Sequence, residues 1–341
     1  MPETVLVTGA CGFIGSHMVE HLLKKGYQVI ATDHPSASRD GLPQGTEFVP
    51  SDVTDTKSLD ALKGRNFSKV FHIAAIFDYV APWEKLYRVN CQGTCNLLEF
   101  LSKNANGLKS VVVWSSGSVY GHAFEQGRPL PETENPQPIN LYEKSKLKEE
   151  EIALEFYRSK NVPVAVVRPS AVYGPRSRYG LAVPVFLINK GLLRFIPGSG
   201  QAIGGFIHVE DVVGAAEFLS TKPEAVGQVF NLSDDSKMTI EEAMLFVADL
   251  LGVWFFRVHL PTAPVRAAAW LDQTVSRWLG RRPTLEKDLI DYLSRHFWMD
   301  NTKLKSLGYR FRYPDLKSGL PETIAWYKQQ GWSASSSGKR R

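Results

Sequence analysis

The sequence predicts an α/β fold: a parallel sheet wound on both faces by helices, with a smaller C-terminal lobe folded against it. Three observations predict it. Short apolar, β-rich runs alternate with amphipathic helical patterns through the first half of the chain. A glycine-rich turn joins the first strand to the first helix. The 341 residues, 43% hydrophobic and 22% charged, suffice for one large domain or a domain with a second lobe.

The elements follow in order. Thr4-Val5-Leu6-Val7-Thr8 is a strand that stops at Gly9, and Ile14, Met18 and Leu22 then share one helical face. Gln28 to Thr32 is the second strand, and further apolar runs lie at Glu47-Phe48-Val49, Lys69 to Ile73, Val111 to Trp114 and Val164 to Val167. Long helical patterns cover Trp83 to Leu101 and Tyr142 to Ser159. After Pro175, prolines and glycines become frequent up to Gly205, and a strand is expected over Gly205 to Val209 with a helix from Asp211 to Leu219. Another helix spans Thr239 to Leu251, with Thr239 as N-cap and Gly252 beyond its end. This divides the chain into a sheet domain over 1–175, whose last strand and helix return within 205–235, a second lobe over 176–332 and a disordered tail over 333–341.

Composition narrows the function. A net charge of +5 with scattered lysines does not provide the clustered basic face that nucleic acid requires. Cys11, Cys91 and Cys95 give no disulfide framework, and Cys91 and Cys95 read as buried helix thiols, with no metal site expected. Met1 leads straight into strand residues, leaving no room for a signal peptide, and no run reaches the roughly 18 apolar residues of a membrane span. A cytoplasmic protein is expected.

Thr8-Gly9-Ala10-Cys11-Gly12-Phe13-Ile14-Gly15 stands where a dinucleotide-binding turn should, which makes the sheet Rossmann-type. Gly9, Gly12 and Gly15 permit a tight turn and close approach of a pyrophosphate, with Cys11, Phe13 and Ile14 around it and helix N–H groups facing the phosphates. Asp33 closes the second strand, where a carboxylate grips the adenosine ribose hydroxyls. It favours NAD over NADP, whose 2′-phosphate it would repel, although nearby Arg39 keeps NADP as the less favoured alternative.

Tyr142-Glu143-Lys144-Ser145-Lys146 sets a phenol and an ammonium one helical turn apart on one face. A free phenol has a pKa near ~10, and a neighbouring cation lowers it, turning a poor acid into a usable proton donor or acceptor. Upstream lies the pair Ser115-Ser116. Hydride transfer to a carbonyl leaves an alkoxide, so one oxygen needs both a hydrogen-bond donor and a proton source, which Ser116 and Tyr142 can provide.

Together these motifs resemble the extended short-chain dehydrogenase/reductase family, from about Thr4 to Leu219. Ser51-Asp52-Val53, His72-Ile73-Ala74-Ala75, Asn90, Ser115-Ser116-x-x-Val119-Tyr120-Gly121, Tyr142-x-x-x-Lys146 and Arg168-Pro169-x-x-Val172-Tyr173-Gly174-Pro175 extend the likeness beyond the glycine turn. The resemblance implies that Asp52 and Val53 hold adenine and that Ala74 and Ala75 line the middle of the cofactor. Pro169 and Ser170 would face the nicotinamide, with Asn90 and Ser115 also in the cofactor set. Tyr142 would be the acid/base, Lys146 would bind the nicotinamide ribose and depress the tyrosine pKa, and Ser116 would bind the reacting oxygen. His72 and His208 are expected to be structural, and a homodimer through the two long helices is the family default.

Family members acting on nucleotide sugars usually carry Asn at the position of Ala171 and an Arg-Asp pair where Gly204 and Gly205 stand, so two phosphate-side anchors are missing. The stretch from Arg168 to Tyr179 resembles instead the 3β-hydroxysteroid dehydrogenase branch with its dihydroflavonol-reductase relatives. That implies a pocket for a bulky apolar alcohol or ketone such as a steroid, with Phe77, Tyr79, Trp83, Ser116, Ala171, Val172, Val183, Phe186 and Leu187 as candidates to line it. Trp254-Phe255-Phe256 and Ala267 to Leu279, ending in Arg281-Arg282, form a basic amphipathic stretch: a pocket lid, a lobe helix or a contact with a membrane surface. The expected activity is NAD-dependent interconversion of a secondary alcohol and a ketone. Its rivals are a nucleotide-sugar epimerase or dehydratase that retains NAD and a non-catalytic cofactor-sensing protein.

Overall fold

The computed structural model describes residues 2–279 and 287–331; Arg281, Arg282 and the expected tail over 333–341 lie outside them. In chain order the first half contains β1 (Thr4–Thr8), α1 (Phe13–Lys24), β2 (Gln28–Thr32), β3 (Glu47–Phe48), β4 (Lys69–His72), α2 (Trp83–Leu86), α3 (Gly93–Asn104), β5 (Ser110–Trp114), α4 (Leu141–Lys160) and β6 (Val164–Pro169). The rest contains β7 (Ala171–Tyr173), α5 (Ala182–Asn189), β8 (Ile196–Pro197), β9 (Phe206–His208), α6 (Val209–Ser220), β10 (Val229–Leu232), α7 (Ile240–Leu251), β11 (His259–Leu260), α8 (Thr262–Trp278), α9 (Lys287–Ser294), α10 (Thr302–Ser306) and α11 (Leu316–Gln329).

Seven strands form one parallel sheet in the order β10-β6-β5-β4-β1-β2-β3. Alternation along each strand sends side chains to opposite faces. Val5, Val7, Phe71 and Val167 pack with Met18 and Leu22 of α1 and Val212 of α6, whereas Leu6, Val70, Val113 and Val166 pack with Leu97 and Leu101 of α3 and Phe156 of α4. The strand order reverses between β1 and β4, so a crevice for a ligand is expected beyond Thr8 and His72.

The remaining elements build a separate apolar cluster from α5, α7, α9 and α11, including Leu187, Ile188, Met244, Val247, Leu293 and Leu320. The expected strand over Gly205 to Val209 is β9, paired with β7 outside the main sheet, while β10 supplies the returning edge strand. Helix α7 begins and ends where its caps predict: Thr239 and Glu242 make a capping box, and Gly252 closes it at φ 70°.

The expected helix over Trp83 to Leu101 is not uniform. A π-helical turn, Tyr87–Gln92, separates α2 from α3. The wider turn carries Asn90, which accepts from the Ile76 N–H at 2.7 Å and donates to Ser145 Oγ at 2.9 Å, tying this helix to α4.

Candidate active site

Glycine at 9, 12 and 15 is a steric requirement. A Cβ on Gly9, which has φ +67°, would lie 2.7 Å from the Ala74 N. On Gly15 it would lie 2.0 Å from the Gly9 carbonyl oxygen, and on Gly12 3.2 Å from that same atom. The turn therefore folds on itself and against the β4 end, with Gly12 as the N-cap of α1 and no side chain satisfying its first N–H groups. That is a cradle for an anion.

Asp33 stands at the end of β2 with Oδ2 accepting from the Cys11 N–H at 2.8 Å and Oδ1 from the His34 N–H at 2.7 Å. The carboxylate is thereby aimed at the turn. Arg39 lies over the Phe48 ring at 4.1 Å. Asp52 accepts from the Thr54 N–H, and Val53 is buried so closely against α3 that a Cβ on Gly93 would meet Val53 at 2.8 Å. Along the crevice the hydroxyls of Thr32, Ser51, Ser115 and Ser170 are buried without a partner. Orphaned hydroxyls beside a glycine cradle fit a polar, elongated dinucleotide.

Helix α4 is capped by Asn140, whose side chain accepts from the Glu143 N–H, and this start brings Tyr142 into its first turn. Tyr142 is 6% exposed, and Ser116 hydrogen-bonds its phenol. Ser116 Oγ is also 2.8 Å from Ser118 Oγ and accepts from the Ser118 N–H. Lys146, one turn on, donates to Glu149 Oε2 at 2.5 Å, both side chains being almost fully buried. The expectation of a depressed phenol is therefore reversed. Burial pushes the Tyr142 phenol above its ordinary value and the Glu149 carboxylate adds to this, against the Ser116 hydrogen bond.

A second buried pair holds this helix in place. Arg168 of β6 grips Glu150 through two bonds, 3.0 Å from Nε and 2.5 Å from Nη2, and donates to Tyr120 Oη at 2.9 Å. Tyr120 in turn donates to Asn231 on β10. His72 bridges Thr8 and Thr94 at 2.7 and 2.8 Å, with burial first and Lys146 second holding its pKa down to about 3. His208 caps α6 through the Glu210 N–H. Both histidines sit at strand ends, hydrogen-bonded within the fold. Cys91 is buried, with Sγ against the Ser145 carbonyl, and Cys95 is partly buried.

Of the candidate substrate residues, Phe77 and Tyr79 reach the site: ring centres lie 4.9 Å apart for Phe77 and Tyr142 and 5.4 Å for Tyr79 and Tyr142. Tyr179, which the sequence reading did not select, joins them at 5.6 Å from Phe77. Its place in the Arg168–Tyr179 stretch was the available signal. Ala171, Val183 and Phe186 pack at the second apolar cluster, where Leu187 is part of the buried core, with Phe186 5.1 Å from Tyr327. Val172 packs on the main core and Trp83 lies beside Tyr87. Gly204 and Gly205 have a packing reason. A Cβ on Gly205 would lie 2.0 Å from the Phe297 carbonyl oxygen, and one on Gly204 2.5 Å from the Phe206 ring.

Residues 5–233 match the NAD dependent epimerase/dehydratase family. The chain belongs to that family. Its members in the comparison include a bovine (Bos taurus) sterol-4-alpha-carboxylate 3-dehydrogenase, decarboxylating, 34% identical over 75% of this chain and 72% of the relative. A UDP-N-acetyl-alpha-D-glucosaminuronate decarboxylase from Bacillus cytotoxicus is 28% identical over 96% of this chain and 99% of its own. Among solved structures, the UDP-glucose 4-epimerase of Thermotoga maritima with UDP-glucose superposes at a TM-score of 0.77 with 26% identity, over 96% of this chain and 99% of that one. As a member of this epimerase/dehydratase family the chain is an extended short-chain dehydrogenase/reductase, an NAD-dependent enzyme acting on CH–OH groups.

Proposed function

We propose that this enzyme interconverts a secondary alcohol and a ketone on a bulky apolar substrate, in the manner of a 3β-hydroxysteroid dehydrogenase. The observation that carries the reading is the aromatic cluster of Phe77 and Tyr79 against Tyr142, with Tyr179 behind Phe77, together with the closed packing at Gly204 and Gly205. An aromatic wall suits a flat apolar ring system. Position 205 has no room for a charged anchor, because the Phe297 backbone occupies it.

Gly9, Gly12 and Gly15 with the α1 N-terminus would hold the pyrophosphate, Asp33 the adenosine ribose, and Lys146, Ser115 and Ser170 the nicotinamide end. NAD, when bound, supplies the hydride acceptor or donor at the carbinol carbon. Ser116 donates to the reacting oxygen and Tyr142 moves its proton, leaving that oxygen as the alcohol or the carbonyl. Burial favours the neutral phenol, so reduction starts with Tyr142 as the proton donor. Oxidation requires Tyr142 first to release its proton to solvent, so that it can take the one from the substrate hydroxyl.

A second reading, a nucleotide-sugar epimerase or decarboxylase that recycles its NAD, is supported by near full-length similarity to proteins of those kinds. The deciding assay is NADH formation from NAD+ with a 3β-hydroxysteroid in one cuvette and UDP-glucose in another. Steroid-dependent NADH, lost about 100-fold or more in Tyr142→Phe with NAD still bound, is the expected result. Altered stereochemistry of a UDP-sugar with no net NADH would replace this reading by the second, and an active Tyr142→Phe would end the assigned mechanism.

Contact with a membrane surface is the companion proposal, for an apolar substrate dissolves there. Among the described residues, every large hydrophobic side chain more than half exposed is Leu192 or lies between Trp254 and Leu279, including Trp254 at 83% and Trp278 at 91%. No described helix is long and apolar enough to cross a membrane. The helices around Tyr87 and Leu141, both 40% exposed, are the face proposed for a homodimer, which analytical ultracentrifugation tests.

A further inference from the structure

Glu149 is not explained by the proton chemistry assigned above. Its carboxyl group is 1% exposed, and its Oε2 takes the hydrogen bond from Lys146 Nζ at 2.5 Å. Its Oε1 is buried without a hydrogen-bond partner, and the Thr94 hydroxyl also steadies the carboxylate. The groups around it are Lys146, Tyr142 and Glu150 on its own helix α4, Cys91 and Thr94 on the neighbouring π-turn and α3, and His72 at the end of β4. His72 is held neutral, and Cys91 is pushed up to about 12 by burial and then by Glu149, so it too is uncharged. Glu150 is bound to Arg168 by two bonds. Lys146 and Glu149 therefore form an isolated charge pair beside the reacting phenol.

Such a pair is a poor device for stability. Two charges removed from water gain little over a well-packed apolar pair, so stability alone gives no reason for a glutamate here. A reason appears when the oxidised cofactor is considered. Its nicotinamide ring carries a positive charge that the reduced form lacks, and it would enter a dry site that already holds the ammonium of Lys146. Two cations in low dielectric repel strongly, and a fixed carboxylate against one of them offsets that repulsion.

We propose that Glu149 is the counter-charge that lets Lys146 and the oxidised nicotinamide ring share one buried site, so that it sets the preference of this enzyme for NAD+ over NADH. The proposal rests on the reading that Lys146 stands at the nicotinamide ribose. Glu149 is a positioning and charge-balancing residue, which transfers no proton itself.

The test is the ratio of dissociation constants for NAD+ and NADH, from calorimetry and from NADH fluorescence, in wild type, Glu149→Gln and Lys146→Ala. Glu149→Gln keeps shape and removes charge. It is expected to weaken NAD+ at least tenfold more than NADH, and a tenfold change in that ratio moves the potential of the bound two-electron couple by about 30 mV. An unchanged ratio in Glu149→Gln, with cofactor affinity lost in Lys146→Ala, overturns the proposal and leaves the Lys146 reading intact. Cofactor affinity unchanged in Lys146→Ala overturns that reading and the proposal with it. Should Glu149→Gln fail to fold, the wild-type protein decides. Burial pushes the Glu149 carboxyl up to about 7, with Lys146 pulling it back. The carboxyl then becomes neutral as the pH falls through that value, so relative affinity for NAD+ should drop on acidification, and a ratio flat from about pH 5.5 to 8.5 overturns the proposal.

Discussion

Replacing Arg168 by methionine tests how the reactive helix is held. The Arg168 and Glu150 side chains are each 4% exposed, joined by two hydrogen bonds, and Arg168 also donates to Tyr120. Removing the cation leaves the Glu150 carboxylate buried without its counter-charge, a loss of about 3–5 kcal/mol against a total stability of about 5–15 kcal/mol for a typical domain. Tyr120 retains Asn231 and the Pro131 carbonyl, so its own contribution to the loss is small. Urea unfolding followed by circular dichroism should show the full loss in Arg168→Met. The double variant Arg168→Met/Glu150→Leu should recover most of it, since two apolar side chains of similar volume need no partner. A loss below about 1 kcal/mol in the single variant would mean that the pair behaves as an exposed one. A double variant no better than the single would show that the cost comes from packing and not from the orphaned charge. Either result would refute the reasoning.

Three further outcomes follow from the cofactor crevice and the exposed aromatic face. Asp33→Ala removes the acceptor for the Cys11 and His34 N–H groups along with the ribose ligand, and should weaken NAD about tenfold or more by calorimetry while affecting NADP less; equal losses would undo the cofactor assignment. In Gly15→Ala the new methyl meets backbone 2.0 Å away, so NAD binding should fall beyond detection and the melting temperature should drop, whereas an unchanged affinity would remove the turn from the site. Vesicles of phosphatidylcholine and phosphatidylserine should sediment the wild-type protein but not a Trp254→Ser, Trp270→Ser, Trp278→Ser variant; wild-type protein left in the supernatant would end the membrane reading.

Most of the sheet was legible because its signals are local. Thr4–Thr8 and Gln28–Thr32 are strands within the predicted limits, and the Thr239 cap and Gly252 stop mark α7 to the residue. The π-helical turn at Tyr87–Gln92 was not legible, because widening a helix by one residue leaves its apolar spacing nearly intact and depends on the tertiary bonds of Asn90 to Ile76 and Ser145. Tyr142, Lys146 and Ser116 were found from spacing and order, whereas the Ser116–Tyr142 hydrogen bond and the pairing of Lys146 with Glu149 are seen only in the fold. The direction of the phenol shift was misjudged for a physical reason. Spacing places a cation one turn from Tyr142 but says nothing of burial, nor that Glu149 in the Glu149-Glu150-Glu151 run turns inward to take that cation.

Gly204 and Gly205 bear on the proposed substrate from a place away from the chemistry. In the sequence they read as the absence of two polar anchors. In the structure they are the condition for bringing Phe297 in from the C-terminal region: its N–H donates to the Ile203 carbonyl, and its ring stacks on Phe124 at 4.6 Å and faces Tyr292 at 5.3 Å. Tyr292 then donates to the Gly205 carbonyl. A side chain at 205 would have to displace that backbone, so a single substitution there cannot supply an anchor for a phosphate. The hydride and proton chemistry at Tyr142 makes no distinction between a sugar and a sterol. Under the proposed reading walls such as this one distinguish them, and here the Phe297 backbone and the Phe206 ring close the space around positions 204 and 205.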